Sequence, residues 1–146
     1  MKRLLAIATL ASAFVFATSI GATSWSTDQS DLYSAAGESG WGAELVQRGS
    51  AVIATIYVYA QTNSAIWYNA ALAATSTPSV WQGDLYEYSG PWLGTVPFNP
   101  VAVQSRKVGT MTWNSQSVDG GVLTYTVGGV TVTKNIQRFT AINFER

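Results

Sequence analysis

The sequence predicts an all-β fold, an antiparallel up-and-down meander of seven or eight strands closed into a barrel, with a two-sheet sandwich as the alternative. Three observations carry this. From Trp41 onward apolar residues recur with a period of two, and clusters of Gly, Pro, Asn and Ser interrupt them at short intervals. The last hairpin has one apolar and one polar face, the mark of a sheet that is dry on one side. The chain of 146 residues suits one core.

The predicted strands, in order, are Trp41–Arg48, Val52–Tyr59, Ile66–Ala73, Val80–Tyr88, Arg106–Asn114, Gly121–Val127 and Val130–Phe139. Breaks fall at Arg48-Gly49-Ser50, Gln61-Thr62-Asn63-Ser64, Ser76-Thr77-Pro78-Ser79 and Asp119-Gly120. Ala70–Ala74 has helical composition, but Trp67, Tyr68 and Thr75 flank it and favour a continuing strand. A short extended piece, Val101–Gln104, is the candidate eighth strand, and Ala141–Phe144 would prolong the last. Gly42, Gly83 and Gly109 lie inside strands, where glycine marks a bulge or a bend. The clearest local signal is Val127-Gly128-Gly129-Val130, since two glycines suit a primed two-residue turn with positive φ. That turn sets Val127 opposite Val130, Tyr125 opposite Val132 and Leu123 opposite Lys134. One face then carries Leu123, Tyr125, Val127, Val130, Val132 and Ile136, and the other, with Val122, Thr124, Thr126, Thr131, Thr133 and Gln137, is nearly all polar.

Charged residues are only 11% of the chain, against 47% apolar and 12% aromatic, which opposes disorder. With no His and no Cys, the commonest general base, disulfides, thiolate metal sites and thiol nucleophiles are excluded. Eight basic against eight acidic residues give no electrostatic footprint for nucleic acid.

Residues 1–22 read as a signal peptide and 23–146 as a single β-barrel domain. Lys2 and Arg3 precede an apolar run from Leu4 to Phe16, and small residues follow, placing the mature start between Ile20 and Trp25. The run is shorter than the roughly 20 residues a membrane span needs. Without Lys2 and Arg3, six basic residues face eight acidic ones, a net charge of −2. The expected location is periplasmic or secreted.

Several ordered motifs resemble a module of exported proteobacterial proteins. They are Glu38-Ser39-Gly40-Trp41-Gly42, Ile66-Trp67-Tyr68, Gly83-Asp84-Leu85-Tyr86, Gly90-Pro91-Trp92 and the run Tyr125–Arg138. The resemblance spans roughly residues 31–139 and departs at Glu44, where Asn is usual, and at Asn135, where Pro is usual. It implies export and a β fold and supplies no mechanism. Lipocalins carry Gly-x-Trp on their first strand, whereas here the triplet is Gly90-Pro91-Trp92, late in a turn.

Candidate chemistry is sparse. Asp84 and Glu87 sit on opposite faces of one strand, with Glu44 as a further carboxylate for a hydrolase. Ser39 lacks a base, and Asp119-Gly120-Gly121 lacks calcium-loop spacing. The sequence therefore predicts a protein that is not an enzyme and needs no cofactor or metal. Two anomalies point to binding. Lys134 and Arg138 fall on the apolar face of the last strand, to be paired with Glu44 or Glu87, or else to anchor a ligand. Aromatics are also too two-sided for a simple core: Trp67 and Tyr68 face opposite ways, as do Trp81 and Tyr86, while Tyr57 and Tyr59 share a face. The expected site is one barrel end, built from Trp41, Trp67, Tyr86, Trp92, Lys134 and Arg138. Its ligand would be a small molecule, a saccharide or an exported protein, and a small outer-membrane barrel is the alternative.

Overall fold

The computed structural model describes residues 28–141 and shows a closed eight-stranded antiparallel barrel in which every strand pairs with its sequence neighbours. The strands are β1 (Asp31–Ser34), β2 (Gly42–Arg48), β3 (Ala51–Tyr59), β4 (Ala65–Ala74), β5 (Val80–Ser89), β6 (Gln104–Ser115), β7 (Gly120–Val127) and β8 (Val130–Arg138). Since β1 pairs with both β2 and β8, no strand edge is left open. The β1–β2, β3–β4, β5–β6 and β7–β8 connections share one end, called here the upper end. The other connections share the lower end with the start of β1 and the end of β8.

The barrel interior is a packed core rather than a pore. Trp113, Leu45, Ile56, Leu72, Leu85, Met111, Leu123 and Ile136 are fully buried, as expected where eight strands leave room only for side chains. Inward and outward residues alternate as the two-residue period requires. Trp81 and Tyr68 turn inward, while Tyr86 and Trp67 lie on the outer wall.

The predicted hairpin register is the observed one: Val127 opposes Val130, Tyr125 opposes Val132 and Leu123 opposes Lys134. Gly128 and Gly129 have φ of 56° and 85°, the left-handed values a primed turn demands. Outside, Thr124 bonds Thr133 at 3.2 Å and Thr126 bonds Thr131 at 2.8 Å. A Cβ at Gly129 would meet nothing within 4 Å, so only backbone strain opposes a side chain there. Gly129→Val should lose about 1–3 kcal/mol in urea unfolding; unaltered stability would show that this turn does not need the left-handed conformation.

Two expectations are corrected. The eighth strand is not Val101–Gln104. Residues Pro100–Ala102 form a 3₁₀ turn, capped by Asn99, whose side chain accepts from the Val101 N–H at 3.1 Å. The strand that completes the barrel is instead Asp31–Ser34, which the period-two reading omitted. Nor does Phe139 belong to β8: Phe139–Ala141 is a second 3₁₀ turn. The predicted signal segment and the remainder of Ala141–Phe144 lie outside the described residues.

Candidate functional site

The two inward cations were the sharpest anomaly of the sequence, and the structure gives each a partner. Lys134 forms an ion pair with Glu38 of the β1–β2 connection and lies 5.4 Å from the Trp41 ring centroid. The Trp41 indole N–H donates to the Tyr125 hydroxyl at 3.2 Å. Trp41 and Glu38 thus come from one motif, Glu38-Ser39-Gly40-Trp41-Gly42, and cap Lys134 from above. At the lower end, Arg138 pairs with Asp31 at 3.4 Å and donates to the carbonyls of Val118, Ser30 and Asp28. Its guanidinium lies 5.8 Å from the Tyr33 ring. Burial pushes the Tyr33 phenol up to about 12, and its hydroxyl donates to the Gln29 carbonyl at 3.0 Å.

The expected pairing with Glu44 or Glu87 is therefore corrected. Glu87 pairs with Arg106 at 2.9 Å, Asp84 with Lys107 at 2.7 Å, and Glu44 accepts from the Tyr57 hydroxyl at 3.2 Å. Sequence reasoning missed Asp31 and Glu38 because their contacts depend on barrel closure and on the fold-back of the β1–β2 loop. Each carboxylate once considered for hydrolysis has its own neighbour on the adjoining strand. Among the described residues, no group of three or more Asp and Glu side chains is arranged to hold a metal ion.

The six residues expected to form one site are not brought to one place. Trp41 and Lys134 are in contact. Arg138 lies four residues further along β8, at its lower end. Trp67 and Tyr86 lie on the outer wall, and Trp92 lies in the β5–β6 loop. Trp41 and Trp92 do share the upper end, but the β1–β2 and β5–β6 connections stand on opposite sides of an eight-strand ring. The physical reason is alternation. Neighbouring aromatics on a strand face opposite ways, and four residues along β8 carry Arg138 a full 13 Å or so from Lys134.

What the structure does assemble is an aromatic outer face. Antiparallel register sets Gly42, Tyr57 and Trp67 side by side across β2, β3 and β4. Trp67 stacks on Tyr88 of β5, with ring centroids 5.3 Å apart and planes 12° from parallel. Trp67 remains 46% exposed, and Tyr57, Tyr59 and Tyr88 are exposed too. Beside this row Gly40, Tyr57, Tyr59, Ala65 and Trp67 bound a shallow slot of about 150 Å³. Gly42 supplies no side chain at the Tyr57 end of the row, and Tyr59 packs onto Gly40. The polar rim follows one step down the strands. Glu44, Thr55, Asn69, Tyr86 and Lys107 occupy successive cross-strand positions, and Asn69 donates to Thr55 Oγ1 at 2.9 Å. Burial, then the Glu44 carboxylate, raises the Tyr57 phenol above its ordinary pKa, so it stays a neutral donor. Apolar walls with a few convergent polar groups are the usual composition of a small-molecule site.

A second depression, of about 310 Å³, lies at the lower end between the β6–β7 turn and β8, and its lining contains no aromatic residue. No family model matches this chain, and no curated protein or solved structure matches it at a significant level.

Proposed function

We propose that this protein is an exported, non-enzymatic β-barrel module that binds a saccharide on the outer face of β3, β4 and β5. The observation that carries the reading is the exposed row Tyr57, Trp67 and Tyr88 beside the slot. One face of the Trp67 ring is stacked on Tyr88. A pyranose offers an apolar face to such a wall and hydroxyls to Glu44, Asn69 and Tyr57. The barrel itself acts as a rigid frame, its interior filled by the core and by the two paired cations.

A lipid-embedded barrel is the weaker reading. Its outward band would have to be apolar, whereas the outer wall carries Glu44, Asp84 and Lys107 and the Thr124–Thr133 ladder.

Binding is tested by calorimetric titration with β-1,4-linked tetramers of glucose and of N-acetylglucosamine. At least one tetramer should bind, and Trp67→Ala should weaken it tenfold or more, a loss of about 1.4 kcal/mol. Because Trp67 lies outside the core, the thermal midpoint should barely move. Equal binding by Trp67→Ala, or no binding of either tetramer by the wild type, would remove the outer face as a saccharide site.

A further inference from the structure

The β5–β6 loop has a composition that neither the barrel nor the saccharide reading uses. Its residues, 90–103, contain no Asp, Glu, Lys or Arg. Loops normally run polar over the surface, yet here Trp92 is 73% exposed, Leu93 92% and Val96 90%, with Phe98 and Val101 also exposed. The nearly complete solvation of Leu93 and Val96 means that neither is packed against the barrel. The nearest charges, Glu87 with Arg106 and Asp84 with Lys107, stand on the strands below and neutralise one another pairwise.

We propose that this loop is a wedge by which the protein docks on a lipid bilayer surface. Four features favour a bilayer over a folded partner. The run lacks charge throughout, so no ionised group in it opposes entry into the acyl boundary. The most exposed groups, Leu93, Val96 and Val101, are aliphatic, and the same loop carries Trp92 and Phe98, side-chain types that surface-bound segments bury at a bilayer interface. Three prolines, Pro91, Pro97 and Pro100, carry no N–H. The amides of Thr95, Val101, Ala102 and Val103 are bonded within the loop, which lowers the penalty for leaving water. Docking through a loop at the upper end leaves the polar barrel wall in water, so the protein lies on the membrane and does not span it.

The test is flotation with vesicles of phosphatidylethanolamine and phosphatidylglycerol, and with vesicles of phosphatidylcholine, in low salt and in 0.5 M salt. The wild type should float with both, with little effect of salt, and lipids brominated on their acyl chains should quench a fluorescence component that Trp92→Phe removes. The double variant Leu93→Asp, Val96→Asp should lower the vesicle-bound fraction at least tenfold with the thermal midpoint unchanged. Trp67→Ala should float like the wild type, so failure of the saccharide site and failure of the wedge are separable. Flotation that salt abolishes would replace the wedge by surface-charge attraction. No flotation, or equal flotation of the double variant, would overturn it. So would a dimer in sedimentation that the double variant disperses, which would assign the loop to a second copy of the chain.

Discussion

Replacing Arg138 by Ala should destabilise the protein by about 3–5 kcal/mol and loosen the barrel between its first and last strands. The β1–β8 seam is short, with only Tyr33 opposite Arg138 and Ser34 opposite Gln137. Arg138 extends that seam with its side chain. Its guanidinium reaches the Asp31 carboxylate and the carbonyls of Asp28 and Ser30, and so ties the segment leading into β1 to the end of β8. Its Nε also donates to the Val118 carbonyl at 2.7 Å, fixing the β6–β7 turn to the same point. The Arg138 and Asp31 side chains are only 13% and 12% exposed. Removing one partner therefore leaves the other charged in a poorly hydrated site, the circumstance in which a lost ion pair is expensive. Urea unfolding measures the loss, and amide exchange should show β1 opening ahead of the other strands. Arg138→Ala combined with Asp31→Ala should recover part of the stability, since no orphan carboxylate remains. A loss below 1 kcal/mol in the single variant would mean that the seam is held elsewhere.

The second large effect is expected at Gly109. Gly109 opposes Leu85 on β5 and Val127 on β7, and beside it the β5–β6 register shifts, leaving Val108 without an opposite residue. The Val108 carbonyl accepts from the Gly128 N–H at 3.2 Å, so the bulge and the β7–β8 turn support each other. A Cβ on Gly109 would overlap the Thr126 carbonyl oxygen and lie 2.7 Å from its carbon. Both atoms belong to the β7 backbone and cannot rotate away, so β7 itself would have to shift. Gly109→Ala should cost about 3 kcal/mol or more, at the upper end of overpacking effects. Gly42→Ala is the control, because a Cβ there comes no closer than 3.8 Å to the Tyr33 carbonyl oxygen. Its stability should stay within about 0.5 kcal/mol of the wild type, as for an ordinary surface change. Similar losses in both variants would contradict the close approach at Gly109.

These two glycines show where sequence reading stops. Both stood inside predicted strands and looked equivalent, and only the distance to a neighbouring backbone separates them. The same holds for β1. Asp-Leu-Tyr-Ser is too short and too polar to display a period of two, yet barrel closure gives it two pairing partners. By contrast, Val101–Gln104 followed a locally apolar composition, while Asn99-Pro100 beside it carried the capping signal of a 3₁₀ turn.

The aromatic face was half legible. Alternation along one strand already required Trp67 and Tyr86 to face away from Tyr68 and Trp81. It did not reveal that Tyr57, Trp67 and Tyr88 would align in a single row, because that alignment depends on the register of three strands joined by irregular turns. Local rules thus determined the number of strands almost completely, their inward and outward faces, and the register of the glycine hairpin, because each of these depends on residues close in sequence. Barrel closure by β1, the partners of Lys134 and Arg138, and the position of the aromatic row were decided by the tertiary structure alone. Glu38 and Lys134 are separated by 96 residues and Asp31 and Arg138 by 107. No local pattern encodes such contacts: they exist only once eight strands of fixed tilt have closed on one another.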